Sequence, residues 1–227
     1  MTGKRWLILI CLLLFQVIAF SFKAPGPVSI ITQDNLDKKV QAFLDSHRYG
    51  WRDMNVSRSD GQLLYDIIIK NGYTKALEIG TSTGHSAVWI AWALSKTGGK
   101  LITIEIDERR YEEALANFEE AGVADYIDAR LADAHELVKE LKGPFDFVFS
   151  DADKWWYKNY FIDVFPKLEV GGCYTTHNIS GRGRGRRGRG GSGDYYDYIM
   201  SLSSMETTLD TNGGGVLISY KKSEKLQ

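Results

Sequence analysis

The chain has 227 residues, enough for one α/β domain with a sizeable core and some extra length at its N-terminus. Hydrophobic residues at 44% and charged residues at 25% are ordinary for a globular protein, and a formal net charge of −1 argues against a surface built throughout to hold nucleic acid. Two cysteines, Cys11 and Cys173, leave neither a disulfide framework nor a zinc-binding spacing.

Residues 6–20 form an apolar run, broken only by Gln16 and preceded by Lys4 and Arg5. The run is short for a membrane span, which takes ~20 residues, and matches the hydrophobic region of a signal peptide. Ala19 and Ser21 supply the small residues ahead of a cleavage after Ser21. An uncleaved anchor ending at Lys23 is the alternative, so the sequence predicts a membrane-anchored or exported protein. Pro25, Gly26 and Pro27 make a linker that sets residues 1–28 apart from a domain over 29–227.

Helices are predicted over 34–46, with Leu36, Val40, Phe43 and Leu44 on one face, and over 61–70, capped by Ser59 or Asp60. Apolar strands over 75–79, 100–106, 127–131, 145–150 and 173–177 then alternate with helices over 86–96, 109–121, 134–141 and 157–165. Such alternation gives a parallel sheet covered on both faces. Strands over 206–211 and 216–221, joined through Asn212 and three glycines, read as an antiparallel hairpin. The expected fold is α/β: a mostly parallel seven-stranded sheet closed by a C-terminal antiparallel hairpin, with helices on both faces. Residues 181–193 hold five arginines among glycines; they cannot bury a core and read as a flexible loop.

Chemistry concentrates at the ends of the strands. The turn Glu78-Ile79-Gly80-Thr81-Ser82-Thr83-Gly84-His85-Ser86 lets a ligand approach the main chain. Its two glycines are four apart, which departs from G-x-G-x-x-G and disfavours a nicotinamide enzyme. Glu105, near the end of the next strand, is an acid placed to accept the hydroxyls of a ribose. Asp151, Asp153 and Lys154 follow a buried strand, at the edge where such sheets bind ligands, and His177-Asn178 ends the strand after it. Trp51, Trp155 and Trp156 are candidates for an apolar wall against a flat acceptor ring.

The ordered set Met54-Asn55-Val56, Glu78 to Ser86, Ile104-Glu105, Ala132-Asp133-Ala134, Asp151 to Lys154 and His177-Asn178 resembles the catechol and caffeoyl-CoA O-methyltransferases over about residues 54–220. The resemblance implies a Rossmann-like class I methyltransferase that uses S-adenosylmethionine on a small phenolic acceptor. It implies Val56, Glu78, Gly80, Ser82 and Ser86 around the methionine part of the cofactor, Glu105 at the ribose, and Asp133 with Ala134 at the adenine. Asp151 would serve both cofactor and metal, and Lys154 matches the family's catalytic lysine, which takes the acceptor's proton. The metal ligands it implies are Asp151, His177 and Asn178.

His177 is a departure, since the family usually has aspartate there. Losing a carboxylate weakens the hold on Mg²⁺ and favours a softer ion such as Zn²⁺, with Mn²⁺ still accepted. The alternatives are that His177 itself acts as a general base, or that activity is lost. Two further functions stay open: a nucleic-acid methyltransferase that uses the Arg/Gly loop, which the neutral overall charge disfavours, and a non-catalytic S-adenosylmethionine-binding protein. The partners expected are a small hydroxylated acceptor, the membrane through the N-terminal segment, and a second copy in a homodimer.

Overall fold

The computed structural model describes residues 32–48, 50–51, 54–179 and 192–227. In chain order its elements are α1 (Gln33–Ser46), α2 (Arg58–Asn71), β1 (Lys75–Ile79), α3 (His85–Thr97), β2 (Lys100–Glu105), α4 (Glu108–Ala121) and β3 (Ile127–Leu131). Next come α5 (Ala134–Glu140), β4 (Phe145–Ser150), α6 (Tyr157–Val164), β5 (Leu168–His177), α7 (Ser192–Ser201), β6 (Met205–Asp210) and β7 (Val216–Lys221).

Among the described residues the strands form one sheet in the order β3-β2-β1-β4-β5-β7-β6. Pairing is parallel from β3 through to β5 and antiparallel where β7 joins β5 and β6 joins β7. The chain first winds outward from β1 to β3, then returns to lay β4 on the other side of β1. That reversal opens a crevice beyond the C-terminal ends of β1 and β4, where a doubly wound sheet binds its ligand.

Two hydrophobic clusters sandwich the sheet. Phe147 and Phe149 of β4 join Val40, Leu64, Val88 and Phe118 from α1 to α4. Val148 points the other way, into a cluster with Val138, Phe161, Tyr195 and Ile199 from α5, α6 and α7. A strand buried on both faces reads as a nearly continuous apolar run, and this explains the Phe-x-Phe-Val-Phe of β4. The one acid in that run, Asp146, accepts the backbone N–H groups of Thr74 and Lys75 at 2.7 and 2.8 Å and so anchors the start of β1.

Three elements differ from the sequence-based expectation by more than a residue at an end. Helix α2 starts at Arg58 because Ser57 is its cap: the Ser57 hydroxyl accepts the Asp60 N–H at 3.2 Å, which puts Asp60 inside the first turn. Strand β5 starts at Leu168, paired with Phe145, and the Gly171-Gly172 step hides its first half from a reading of apolar alternation. Helix α7 was not expected at all. Its spacing signal is Tyr195 and Ile199, four residues apart and both fully buried.

The expected membrane-anchored or exported placement is corrected. Among the described residues no helix is long and apolar enough to cross a membrane. The signal peptide or anchor assigned to residues 1–28 lies outside the described residues, as does the Arg/Gly loop apart from Ser192 and Gly193.

Candidate active site

A cavity of about 510 Å³ opens beyond the C-terminal ends of β1, β2, β4 and β5. Nine of the twelve residues given site roles by the resemblance line it: Gly80, Ser82, Glu105, Asp133, Ala134, Asp151, Lys154, His177 and Asn178. Val56, Glu78 and Ser86 are not in its wall. All three are buried behind it.

Gly80 is required by its surroundings. It sits at φ +99°, and a Cβ there would lie 2.8 Å from the Asp151 carbonyl oxygen, so no side chain fits between the β1 and β4 ends. The turn beyond it is held by Glu105. One carboxylate oxygen accepts the Ser82 N–H at 2.7 Å and the other accepts those of Ile106 and Asp107, both at 3.0 Å. Ser82 itself adopts φ +49°, an uncommon conformation for a residue with a side chain. Three amide donors use three of the four acceptor positions of an ionised carboxylate, and one on Oε2 is left for a ligand hydroxyl.

Glu78 is fully buried. Its Oε2 accepts the Thr103 hydroxyl, while Oε1 has no well-formed hydrogen bond although the Ser86 hydroxyl stands near. Burial pushes its carboxyl up to about 8; the neighbouring hydroxyls pull it down, and the charges of Asp151 and Glu105 push it further up. An unpaired buried oxygen of this kind fits a site that receives a cation.

Next to it lies an arrangement the sequence did not announce. His177 is buried, with Nδ1 2.8 Å from Asp151 Oδ2 and Nε2 3.2 Å from Asp60 Oδ2. Carboxylates only accept, so both ring nitrogens are satisfied as N–H donors, which makes the ring an imidazolium. Burial alone would lower its pKa, but the hydrogen bonds and charges of Asp151 and Asp60 outweigh that and raise it to about 9. Burial likewise pushes Asp60 up, yet bonds from His177, the Gly214 N–H and the Ser57 hydroxyl bring it down to about 2.

These shifts give the fold a pH signature. The His177 contribution is complete below its ordinary 6.5 and is lost as pH rises through about 9; the Glu78 contribution is complete below its ordinary 4.5 and is lost as pH rises through about 8. The Asp60 contribution is complete above 3.8 and is lost as pH falls through about 2. Thermal unfolding of the full chain is therefore expected to shift several degrees lower between about pH 6 and pH 9.5, and Asp60→Asn should shrink the part of that loss above about pH 8, where of the two groups only His177 still contributes.

The residues do not fit a divalent cation as they stand. His177 has no lone pair to offer, Asp151 Oδ2 is engaged by that ring, and Asn178 Oδ1 accepts the Lys154 ammonium or amine at 2.6 Å. The second oxygen of Asp151 faces the Tyr157 hydroxyl at 3.4 Å. Among the described residues no group of three or more His, Cys, Asp or Glu side chains is placed to hold a metal ion. The same geometry leaves His177 no free nitrogen with which to act as a general base.

The three tryptophans separate. Trp51 stacks on His85 with ring centroids 4.5 Å apart and packs against Phe43, so it belongs to the scaffold. Trp156 stacks on His135 at 4.3 Å, and His135 and Tyr160 join the cavity wall without having been singled out. Trp155 is 67% exposed beside Lys154, and none of the three tryptophans lines the cavity. Asp60 was seen only as a helix cap, because its partner His177 lies 117 residues away.

A family model described as O-methyltransferase matches residues 31–186. Caffeoyl-CoA O-methyltransferase 1 of Eucalyptus globulus is 35% identical over 141 residues, 60% of this chain and 57% of that enzyme. Catechol O-methyltransferase of Niastella koreensis is 37% identical over 139 residues, 60% of this chain and 62% of that enzyme. The chain thus spans less than two thirds of the length of these relatives. Among solved structures, an O-methyltransferase from Bacillus cereus in complex with SAH aligns with a TM-score of 0.69 at 25% identity, over 86% of this chain and 94% of that one. The O-methyltransferase TomG from Streptomyces achromogenes, involved in tomaymycin synthesis and in complex with SAM, gives 0.71 at 25% identity over 82% and 91%.

Proposed function

Because the chain belongs to the O-methyltransferase family, whose model takes in residues 31–186, we propose that its domain transfers the methyl group of S-adenosylmethionine to a hydroxyl of a small phenolic or catechol-like acceptor. The observation that carries this reading is the convergence, on one cavity at the β1–β4 reversal, of the Gly80 turn, Glu105 and Lys154. The relatives' names, caffeoyl-CoA and catechol O-methyltransferase, support a phenolic acceptor.

Bound S-adenosylmethionine supplies the methyl group as an electrophilic sulfonium. The chain's own residues do the rest. Glu105 holds a ribose hydroxyl on its remaining acceptor position, with Asp133 and Ala134 at the adenine end. Gly80 and Ser82 leave the main chain open to the methionine part, which Val56, Glu78 and Ser86 back from behind. Lys154 Nζ, steered by Asn178 at 2.6 Å, takes the proton of the acceptor hydroxyl as its oxygen takes the methyl group. Trp155 offers its exposed ring to a flat acceptor. No divalent metal enters this reading, because the side-chain atoms that would bind one are already engaged with each other.

Titrating the full chain calorimetrically with S-adenosylmethionine tests the first half, and binding in the micromolar range is expected. S-adenosylhomocysteine release over a panel of phenols and catechols tests the second. A folded chain that binds no cofactor would sink the proposal. Glu78 adds a finer expectation. With its carboxyl near 8 it is mostly protonated at neutral pH, and an arriving ammonium or sulfonium favours the carboxylate. Cofactor binding should then release up to about one proton, read as a binding enthalpy that varies with the ionisation enthalpy of the buffer. Glu78→Gln should abolish that variation.

A further inference from the structure

We propose that the His177 ring, clamped between Asp60 and Asp151, is a built-in cation standing in this site where a divalent metal would otherwise sit, so that the protein binds its cofactor and works without metal. The inference deepens the methyltransferase reading and rests on it.

The clamp has a second wall, which the hairpin supplies. The turn between β6 and β7 packs its glycines onto the His177–Asp60 pair. A Cβ at Gly213 would lie 2.0 Å from Asp60 Oδ1, and one at Gly214 would lie 2.5 Å from His177 Nε2. The Gly214 N–H donates to Asp60 Oδ2 at 2.9 Å, and the Ser57 hydroxyl donates to the same oxygen at 2.8 Å. Asp60 is 1% exposed and His177 4%, so neither carboxylate nor ring is left to water. A buried acid and a part-buried one brought to the same ring need a positive charge between them. Here a side chain provides it from within the chain, with both of its donors used.

His177 is a positioning residue in this account. Through Nδ1 it fixes the carboxylate of Asp151 at the cavity wall, and its own carbonyl accepts the Tyr157 hydroxyl at 3.1 Å. Its neighbour Asn178, held at φ +56°, then receives Lys154. The fixed ring thereby orders the edge at which the acceptor arrives.

The test uses the full chain stripped of metal. Calorimetric titration with Mn²⁺ alone is expected to show no site tighter than millimolar, and S-adenosylmethionine affinity should agree within about twofold between chain with Mn²⁺ restored and the same chain with EDTA added. A micromolar Mn²⁺ site, or a loss of cofactor affinity of about tenfold on chelation, overturns the inference. If the cofactor binds under no condition, the methyltransferase reading fails, while the Mn²⁺ titration still decides this one. His177→Asp supplies the complementary arm: with the ring gone and a third carboxylate present, added Mn²⁺ should raise its Tm by several degrees, a response the parent lacks. A folded His177→Asp variant with no Mn²⁺ response counts against the ring holding a cation's place. The parent's titration stands whether or not that variant folds.

Discussion

Lys154→Ala is expected to slow methyl transfer by about 10²- to 10⁴-fold while S-adenosylmethionine affinity stays within about threefold, because a positioned acid–base group acts on the reacting proton and not on cofactor binding. Lys154 lies at the cavity mouth, exposed, with Nζ 2.6 Å from Asn178 Oδ1. It follows Asp151 by three residues, in the turn that leads from β4 to α6. Among the described residues no other lysine lines the cavity. A role for charge at this position and a role in accepting the proton can be told apart. Lys154→Arg keeps a cation able to donate to Asn178, but a guanidinium does not give up a proton at any pH a protein survives. The arginine variant should therefore be nearly as slow as the alanine one in single-turnover assays. If it kept activity within about tenfold of the parent, the side chain would be acting by charge or position, and the proton-accepting role would be wrong.

Much of this site was legible because parallel strands deliver their C-terminal ends to one edge. β1 and β4 have the boundaries that apolar patterning assigns, β5 ends at His177 as expected and β2 ends within one residue of expectation, so Gly80, Glu105, Asp151 and His177 fall together once the strand order is known. What could not be read were contacts that exist only in three dimensions. The departure at His177 was visible, but its meaning depends on Asp60, which a local reading assigns to the cap of α2. The three glycines before β7 looked like turn chemistry alone. Gly213 and Gly214 instead lack side chains because Asp60 and His177 occupy the space a Cβ would need. Helix α7 was masked for a related reason: it follows a glycine-rich stretch, and its two buried contacts, Tyr195 and Ile199, are too few to register as a periodic face.

Glu105→Ala is expected to weaken S-adenosylmethionine binding by about 100-fold or more, roughly 3 kcal/mol, and to lower stability as well. The two losses share a cause. The carboxylate accepts N–H groups from Ser82, Ile106 and Asp107, and Glu105 is 7% exposed, so its removal strands three amide donors next to a part-buried turn. Ser82 is held at φ +49° with its N–H aimed at Glu105, and without that acceptor the turn loses the contact that orients it. On the proposed binding mode a ribose hydroxyl then loses its acceptor, and the loop that should face the methionine part loses its shape. Glu105→Gln separates the contributions. The amide oxygen can still receive one or two backbone donors, while the NH₂ group repels a third and cannot accept from a ribose. That variant should recover much of the unfolding free energy measured in urea yet leave cofactor affinity at least about tenfold below the parent. Equal losses of stability and affinity in Glu105→Gln would mean that the residue serves the turn alone; parent-like affinity would remove it from the ribose site altogether.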